Sequence, residues 1–243
     1  MRRSEVAQLA GVSTEWYTLF EMGRERAMTA RAVESVAHAL RLTKTEHHYL
    51  SDLVRPRPPP KPLLDLPPAL DVALKTDRDK LLVVYDRWLN EVRWNVVAGA
   101  LLRIDAEDLS KRNMLWRLFC APEAREIFVQ WDHFAALMLG LFRCALGRDP
   151  ANAEARQLIA AVSVSTDFRE MWEKHELWSL ADEAHSSMNN EYCLRNPRVG
   201  EVCGYTIGLE IPGSMGAHIR VGVPADATGR RMVEDLIASL GFA

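Results

Sequence analysis

The residues of this sequence best suited to chemistry are histidines with acidic neighbours. His47 and His48 follow Glu46, and His175 and His185 each have a glutamate within two residues. Zinc sites need fixed spacings such as His-Glu-x-x-His, and the sequence contains none of these. Gly-x-Ser-x-Gly, Walker and dinucleotide-binding glycine motifs are also absent. We therefore expect no catalytic residues, no metal site and no cofactor, and an enzyme is the least favoured class.

The cysteines and the hydropathy pattern predict where the protein works. Cys120, Cys144, Cys193 and Cys203 form no Cys-x-x-Cys pair, so we expect four free, buried thiols. The longest uncharged apolar run, residues 134–142, is far shorter than the roughly 18 residues of a membrane span. The N-terminus carries no apolar signal segment. A cytoplasmic protein without membrane contact is the expectation.

A cluster of prolines divides the chain. Seven of the 12 prolines lie between Pro56 and Pro68, where they disfavour helices and central strands. We predict an N-terminal domain over residues 1–55, an extended linker over 56–77, and a second domain over 78–243. The net charge of −3 then separates into +2 for residues 1–57, with nine basic and seven acidic residues, and −5 for the remainder. The weakly basic part is the better candidate for binding a polyanion.

Hydrophobic spacing predicts the elements of each domain. Apolar residues at three- and four-residue steps, such as Val6, Leu9 and Ala10, predict an all-α first domain, with Thr29 and Thr43 as helix caps. Apolar and alternating segments in the second domain predict strands over 81–85, 92–94, 202–211 and 218–223. Helical patterns cover residues 113–146, 151–162, 166–176 and 229–240. The second domain is therefore predicted to be α+β, an antiparallel sheet with helices.

Residues 5–24 read as a helix, a short turn and a second helix. Ala7 is small where the helices cross, Gly11 suits a turn with positive φ, and Val12 fills the gap between the helices. Ser13 caps the second helix. Together with the following Glu-Met-Gly-Arg, this pattern resembles the helix-turn-helix of the XRE, or lambda-repressor-like, family.

That resemblance implies binding to double-stranded DNA, with the second helix in the major groove. It implies base contacts from the outward residues Thr14, Glu15, Trp16 and Thr18, and a phosphate contact from Arg24. It also implies a homodimer, since such readers bind paired half-sites. The alternative is a plain helical hairpin in which the charged residues are merely solvated.

The family's small domain has a further helix before this pair, whereas only two residues precede it here. We therefore expect an incomplete helix-turn-helix domain. The rival interpretation follows from that expectation, namely a sensor of ligands or proteins that does not bind DNA.

The second domain resembles the MmyB-like ligand-binding domain, a PAS-like domain that follows such a helix-turn-helix in transcription regulators. The matching segments are Val92-Arg93-Trp94-Asn95, residues 112–119, residues 165–175 and Asn196-Pro197-Arg198-Val199-Gly200. The resemblance implies that a small molecule controls DNA binding.

Large aromatic and apolar side chains are the candidates for binding that ligand. Tryptophan and phenylalanine line many ligand cavities, and methionine adapts to varied ligands. A long apolar molecule such as a fatty acid would suit the pocket. Plain core packing is the alternative for each residue. The candidates are Trp94, Phe119, Trp131, Leu137, Met138, Leu141, Phe168 and Trp172.

Overall fold

The computed structural model divides into two compact units, which we describe separately. The first comprises Met1–Pro58 with Leu146–Pro150, and the second comprises Pro59–Ala145 with Ala151–Ala243. The residues that the structure describes are 1–24, 28–54, 67–104, 111–178, 191–212, 214 and 216–241.

Among the described residues of Met1–Pro58, the first unit contains four helices. Their bounds are α1 Arg3–Ala10, α2 Thr14–Glu21, α3 Ala30–Ala39 and α4 Lys44–Val54. Thr29 accepts a hydrogen bond from the amide of Ala32 at the start of α3, and Thr43 accepts one from Glu46 at the start of α4. These hydroxyls satisfy amide groups that the helix itself leaves without partners. The predicted helical N-terminal region and its two threonine caps are confirmed.

The core of this unit is small. Its buried members are Val6, Ala7, Ala10, Tyr17, Val36 and Ala39. Leu9, which the spacing placed on the same face, is 65% exposed. That prediction is wrong because Val6 and Ala10 already fill the narrow stripe that an eight-residue helix buries.

The second unit is built on a five-stranded antiparallel sheet in the order β2-β1-β5-β4-β3. The strands are β1 Leu81–Tyr85, β2 Glu91–Trp94, β3 Glu191–Asn196, β4 Gly200–Glu210 and β5 His218–Pro224. The helices before the middle of the chain are α5 Pro68–Thr76, α6 Val96–Leu102, α7 Met114–Cys120 and α8 Ala124–Ile127. The remaining helices are α9 Trp131–Arg148, α10 Ala153–Val162, α11 Thr166–Glu173 and α12 Ala227–Ser239. The predicted α+β class is confirmed.

The two faces of the sheet differ. On one face, Leu74 of α5 packs on Leu82 and Val84 of β1 and on Ile219 of β5. Successive side chains of a strand point to opposite faces, so the other face carries the residues between these, such as Tyr85 and Arg220. The candidate ligand site lies on that second face.

Two predictions about the second unit are wrong in part, and one strand was missed. The linker was predicted to extend to residue 77, but residues 68–76 form α5, with Pro68 in the first turn, where proline is tolerated. Residues 56–66 of the predicted linker lie outside the described residues. The helix predicted over 113–146 is three helices, because Phe128 and Val129 leave the helical path and bond to β3. Strand β3 was not predicted.

The cysteine prediction is also corrected. Cys193 of β3 and Cys203 of β4 face each other in register and form a disulfide bond. Strand pairing brings together residues ten positions apart, and the absence of a Cys-x-x-Cys motif says nothing about that register. Cys120 and Cys144 are not disulfide-bonded.

Candidate functional site

The turn between α1 and α2 is built as the motif predicts. Gly11 ends α1 with a φ of 67°, in the left-handed region that favours glycine. The amide of Val12 donates to the carbonyl of Ala7 at 3.0 Å, and the amide of Trp16 donates to the hydroxyl of Ser13 at 3.0 Å. These bonds fix the direction in which α2 leaves the turn.

An ion pair also joins the two helices. Arg3 of α1 lies 2.5 Å from a carboxylate oxygen of Glu21 at the end of α2. The hydrogen bond from Arg3 lowers the pKa of Glu21, so this carboxylate stays ionised under mildly acidic conditions. Because the pair is largely solvent-exposed, it contributes little to stability, and its main role is to orient α1 and α2.

The predicted DNA-contact residues do not all share one environment. Thr14, Glu15 and Arg24 are exposed, at the start of α2 and just beyond its end. Thr18 is half-buried, and its hydroxyl donates to the carbonyl of Thr14 at 2.8 Å. Trp16 is also half-buried and stacks on Phe20 at 5.3 Å. Its predicted outward position is therefore wrong, because the indole packs against the small core of this unit.

A mostly apolar cavity lies between the sheet and α9. The sheet contributes residues of four strands, while His133, Phe134 and Leu137 of α9 form the opposite wall. The cavity volume is about 40 Å³, and a figure of about 590 Å³ is reached only when the open solvent at its mouth is counted. Gln130 and Glu191 also line it and are exposed, so they mark its open side. The sheet residues of the lining are Leu81, Tyr85, Glu191, Tyr192, Cys193, Leu194, Thr206, Arg220 and Gly222.

Glycines on the central strands create part of this space. A Cβ atom at Gly204 would lie 2.9 Å from the Tyr192 ring, and one at Gly222 would lie 3.2 Å from it. The aromatic ring therefore lies flat against the sheet where these two residues have no side chain. A Cβ atom at Gly204 would also lie 2.1 Å from the backbone carbonyl oxygen of Val223, so a larger residue there would force the sheet backbone to shift, whereas one at Gly222 would press on Tyr192 and on Leu81.

Two buried polar side chains face the cavity among apolar ones. Arg220 is 3% exposed and Thr206 is 7% exposed. The hydroxyl of Thr206 has no hydrogen-bond partner among the described residues. A buried cation beside a buried hydroxyl is a suitable environment for an anionic oxygen, because both groups stabilise it in a medium of low dielectric constant.

The side chains of Tyr85, Tyr192 and His218 are neutral near pH 7. Burial raises the pKa of Tyr192 to about 12 and also raises that of Tyr85. Burial, together with the positive charge of Arg220, lowers the pKa of His218 to about 3. His218 stacks on Tyr85 at 5.4 Å. Arg220 thus supplies a buried positive charge on this wall, while the exposed side chain of Glu191 lies in the same lining.

Of the eight predicted ligand residues, only Leu137 lines this cavity. Phe119, Trp131, Phe168 and Trp172 lie together in a separate aromatic cluster, with ring centroids 5.3 to 5.6 Å apart along the chain of contacts. The indole of Trp131 donates to the carbonyl of Leu118 at 2.9 Å, which satisfies its one polar atom. These contacts are those of packed core residues.

The other three predicted residues are also outside the cavity lining. The Trp94 ring lies 3.2 Å from the position of a Cβ at Gly99 and has Arg112 over it at 5.2 Å. Met138 is fully buried on α9, and Leu141 is half-buried on the same helix. Whether any of the eight touches a ligand stays a prediction.

The polar residues of the matching segments hold the fold together. Arg117 pairs with Glu91 at 2.6 Å, with both side chains buried, and also donates to the carbonyl of Leu102. Asn113 caps α7 through the amide of Trp116 at 3.1 Å. These residues tie helices α6 and α7 to strand β2.

Two further asparagines of those segments do similar work. Asn95 caps α6 through the amide of Ala98 and also accepts a hydrogen bond from the amide of Leu82. Asn196 donates to the carbonyl of Ala100 at 3.1 Å. The segments that carried the resemblance therefore position the cavity walls rather than line the cavity.

Sequence reasoning missed Arg220, Thr206 and Tyr192. A signal for the first was present, since residue 220 is a charged residue at an inward position of an apolar strand. Glycines at alternate positions of β4, Gly204 and Gly208, were a second signal for space beneath the sheet.

The comparisons with known proteins identify the second unit. The family model of the MmyB-like transcription regulator ligand binding domain matches residues 66–236. This match covers more than half of the chain, and the chain belongs to that family. No curated protein matches it. The match begins beyond the segment Met1–Pro58, so the role of that segment depends on its own residues.

The described part of the chain also bears on membrane spans and metal sites. None of the described helices is long and apolar enough to cross a membrane. Within the same part of the chain, no three histidine, cysteine, aspartate or glutamate residues cluster as metal ligands would.

Proposed function

We propose that this protein is a DNA-binding transcription regulator controlled by a fatty-acid-like ligand in its second unit. The observation that carries the proposal is the mostly apolar cavity with buried Arg220 and Thr206 on its wall, within a domain of a transcription-regulator family. Apolar walls suit a hydrocarbon chain, and the two polar groups suit its carboxylate.

The first unit supports the DNA-binding half of the proposal. Thr14 and Glu15 are exposed at the start of α2, which follows the glycine turn and the serine cap. This is the arrangement expected of a helix that enters the major groove. Arg24 is exposed just beyond the helix, where a phosphate contact is expected. The reader acts as a homodimer in this proposal.

Control follows from differential binding. The ligand binds more tightly to one conformation of the protein than to another, and the two conformations differ in DNA affinity. By reciprocity, DNA must then change ligand affinity by the same factor.

The ligand half is tested by extraction and titration. Purified full-length protein is extracted into organic solvent, and the extract is analysed by mass spectrometry for fatty acids. Delipidated protein is then titrated with cis-parinaric acid, a fluorescent fatty acid, and with its methyl ester. Tight binding of the acid and weak binding of the ester support the proposal, whereas no binding of either refutes it.

The DNA half is tested by mobility shift with the protein's own upstream DNA at several salt concentrations. Arg24→Ala is expected to weaken binding and to reduce the slope of log affinity against log salt by about 1. Sedimentation with and without DNA tests the dimer. Binding that is the same for any DNA sequence would contradict a regulator with an operator.

A second candidate function is a ligand-responsive sensor that binds a protein instead of DNA. Leu9, Leu19 and Met22 are 65%, 36% and 54% exposed around the helix-turn-helix, and apolar surface suits a protein partner better than phosphates. This candidate predicts no sequence-specific mobility shift at any salt concentration.

A further inference from the structure

The disulfide bond between Cys193 and Cys203 joins the edge strand β3 to β4, and Cys193 is also part of the cavity lining. The two residues are directly opposed, and each is half-buried. Their strand neighbours Tyr192 and Leu194 are buried and point to the cavity side. Both cysteines are partly exposed, so the disulfide bond is open to attack by a small thiol.

Strand β3 carries the cavity wall at two places. Tyr192 and Leu194 line the cavity directly. The carbonyl of Cys193 accepts a hydrogen bond from Val129 at 3.1 Å, and Phe128 forms a bridge with Leu194. Phe128 in turn stacks on Phe134 of α9, with the ring centroids 4.5 Å apart. A displacement of β3 would therefore move both the sheet side and the helix side of the cavity.

We propose that Cys193 and Cys203 are a reversible thiol–disulfide site that sets the ligand affinity of the cavity. The oxidised form holds β3 against β4 and binds ligand tightly. The reduced form leaves β3 attached by backbone hydrogen bonds and packing alone, and it binds ligand more weakly. This inference rests on the proposed function for both the ligand and the cellular location. A DNA-binding regulator works in a compartment where thiols are kept reduced, and disulfide bonds in that compartment are mostly redox-sensing.

The chemistry needs a low-molecular-weight thiol as reductant. Its thiolate attacks one sulfur of the Cys193–Cys203 bond, which gives a mixed disulfide and releases the other cysteine as a thiolate. A second molecule of the same thiol resolves the mixed disulfide. The protein gains two electrons and two protons as two thiols, and two reductant molecules become one disulfide. Oxidation by that small disulfide runs the same steps in reverse.

The other two cysteines offer a clean background. Cys120 and Cys144 are not disulfide-bonded, and neither lines the cavity. Burial raises the pKa of the Cys120 thiol, which lowers its reactivity. The full chain with Cys120→Ser and Cys144→Ser therefore isolates the pair.

The experiment titrates this background protein with cis-parinaric acid in buffers of reduced and oxidised glutathione. Trapping with an alkylating agent followed by mass spectrometry reads the fraction of disulfide. Reduction is expected to weaken binding at least about fivefold, which is within the usual range of coupling between sites. Saturating cis-parinaric acid should then lower the midpoint potential of the pair by about 20 mV, the fivefold change converted for two electrons.

The protein with Cys193→Ser and Cys203→Ser cannot form the disulfide bond and represents the reduced form. It should bind like the reduced protein in every buffer while remaining folded by circular dichroism. Equal affinity of the oxidised and reduced proteins would overturn the inference and leave the proposed ligand function intact. If neither the oxidised nor the reduced protein binds cis-parinaric acid, the inference and the proposed ligand are both overturned. A normal thiol titration in that case would show that the ligand assignment is wrong.

Discussion

Replacement of Thr206 by valine should make the ligand-free protein more stable and its ligand binding weaker. Valine keeps the shape of threonine and exchanges the hydroxyl for a methyl group. That hydroxyl is buried and has no hydrogen-bond partner among the described residues. A buried polar group without a partner costs about 1–3 kcal/mol. We therefore expect Thr206→Val to raise the free energy of unfolding by about 1–2 kcal/mol.

The effect on binding has the opposite sign. A hydrogen bond from a hydroxyl to a carboxylate contributes about 1.5–3 kcal/mol. Its loss should weaken binding of cis-parinaric acid by about tenfold or more. The methyl ester, which has no charge to stabilise, should bind Thr206→Val and the wild-type protein within about threefold.

Thr206→Ser is the matched control, because it keeps the hydroxyl and removes a methyl group. It should lose about 1 kcal/mol of stability and retain most of its affinity for the acid. Urea unfolding of delipidated protein and fluorescence titration measure the two quantities. A Thr206→Val protein that is less stable than wild type would show that the hydroxyl already has a partner. Unchanged affinity would remove Thr206 from the ligand site.

Three further predictions concern stability. The wild-type protein should lose about 2 kcal/mol of unfolding free energy between pH 7 and pH 5, and His218→Phe should not show this loss. Urea unfolding at the two pH values measures the difference. Burial and Arg220 lower the folded pKa of His218 to about 3, so below pH 6.5 the unfolded state binds the proton first and stability falls as pH falls. Arg117→Met should cost about 3–5 kcal/mol by leaving Glu91 buried without its cation, and adding Glu91→Leu should recover part of that loss in the same assay. Ser13→Ala should lower amide protection in α2 by about 1 kcal/mol in hydrogen exchange, whereas Ser13→Asp should preserve it.

The contradicting results differ among the three. An equal pH dependence for His218→Phe and wild type would show that this imidazole titrates normally. A double variant less stable than Arg117→Met would mean that Glu91 has another stabilising role. Equal amide protection in Ser13→Ala and wild type would show that α2 begins without its cap.

Helices α1 and α2 and the turn between them could be predicted because their determinants are local. Gly11 at the turn and Ser13 at the cap act within three or four residues of where they stand in the chain. Trp16 was misplaced because an eight-residue helix with a small core also uses the edge of its apolar face. Such packing depends on residues of other helices, including Val36 of α3.

The ligand site was predicted poorly for a physical reason. Large aromatics such as Phe119 and Phe168 pack on one another and fill space, whereas the cavity is lined by smaller and polar strand residues such as Thr206 and Gly222. The pattern around Arg220 contained a usable signal, a charge at an inward strand position. Bulk aromatic content was the wrong guide to an opening in the core.

Strand β3 and its disulfide show the limit of local patterns. Residues 191–195 do alternate between outward and inward positions, but the segment is short and polar on its outer side. The pairing of Cys193 with Cys203 depends on the register of β3 against β4. That register is a property of the assembled sheet.

The most direct test of the central claim measures DNA affinity with and without ligand. Delipidated full-length protein is titrated against fluorescein-labelled DNA from its own upstream region, in the absence and presence of saturating cis-parinaric acid, and anisotropy gives the Kd. A ligand-controlled regulator predicts a change in Kd of about fivefold or more. The same Kd in both titrations, at a ligand concentration shown to fill the cavity, would contradict control by the ligand.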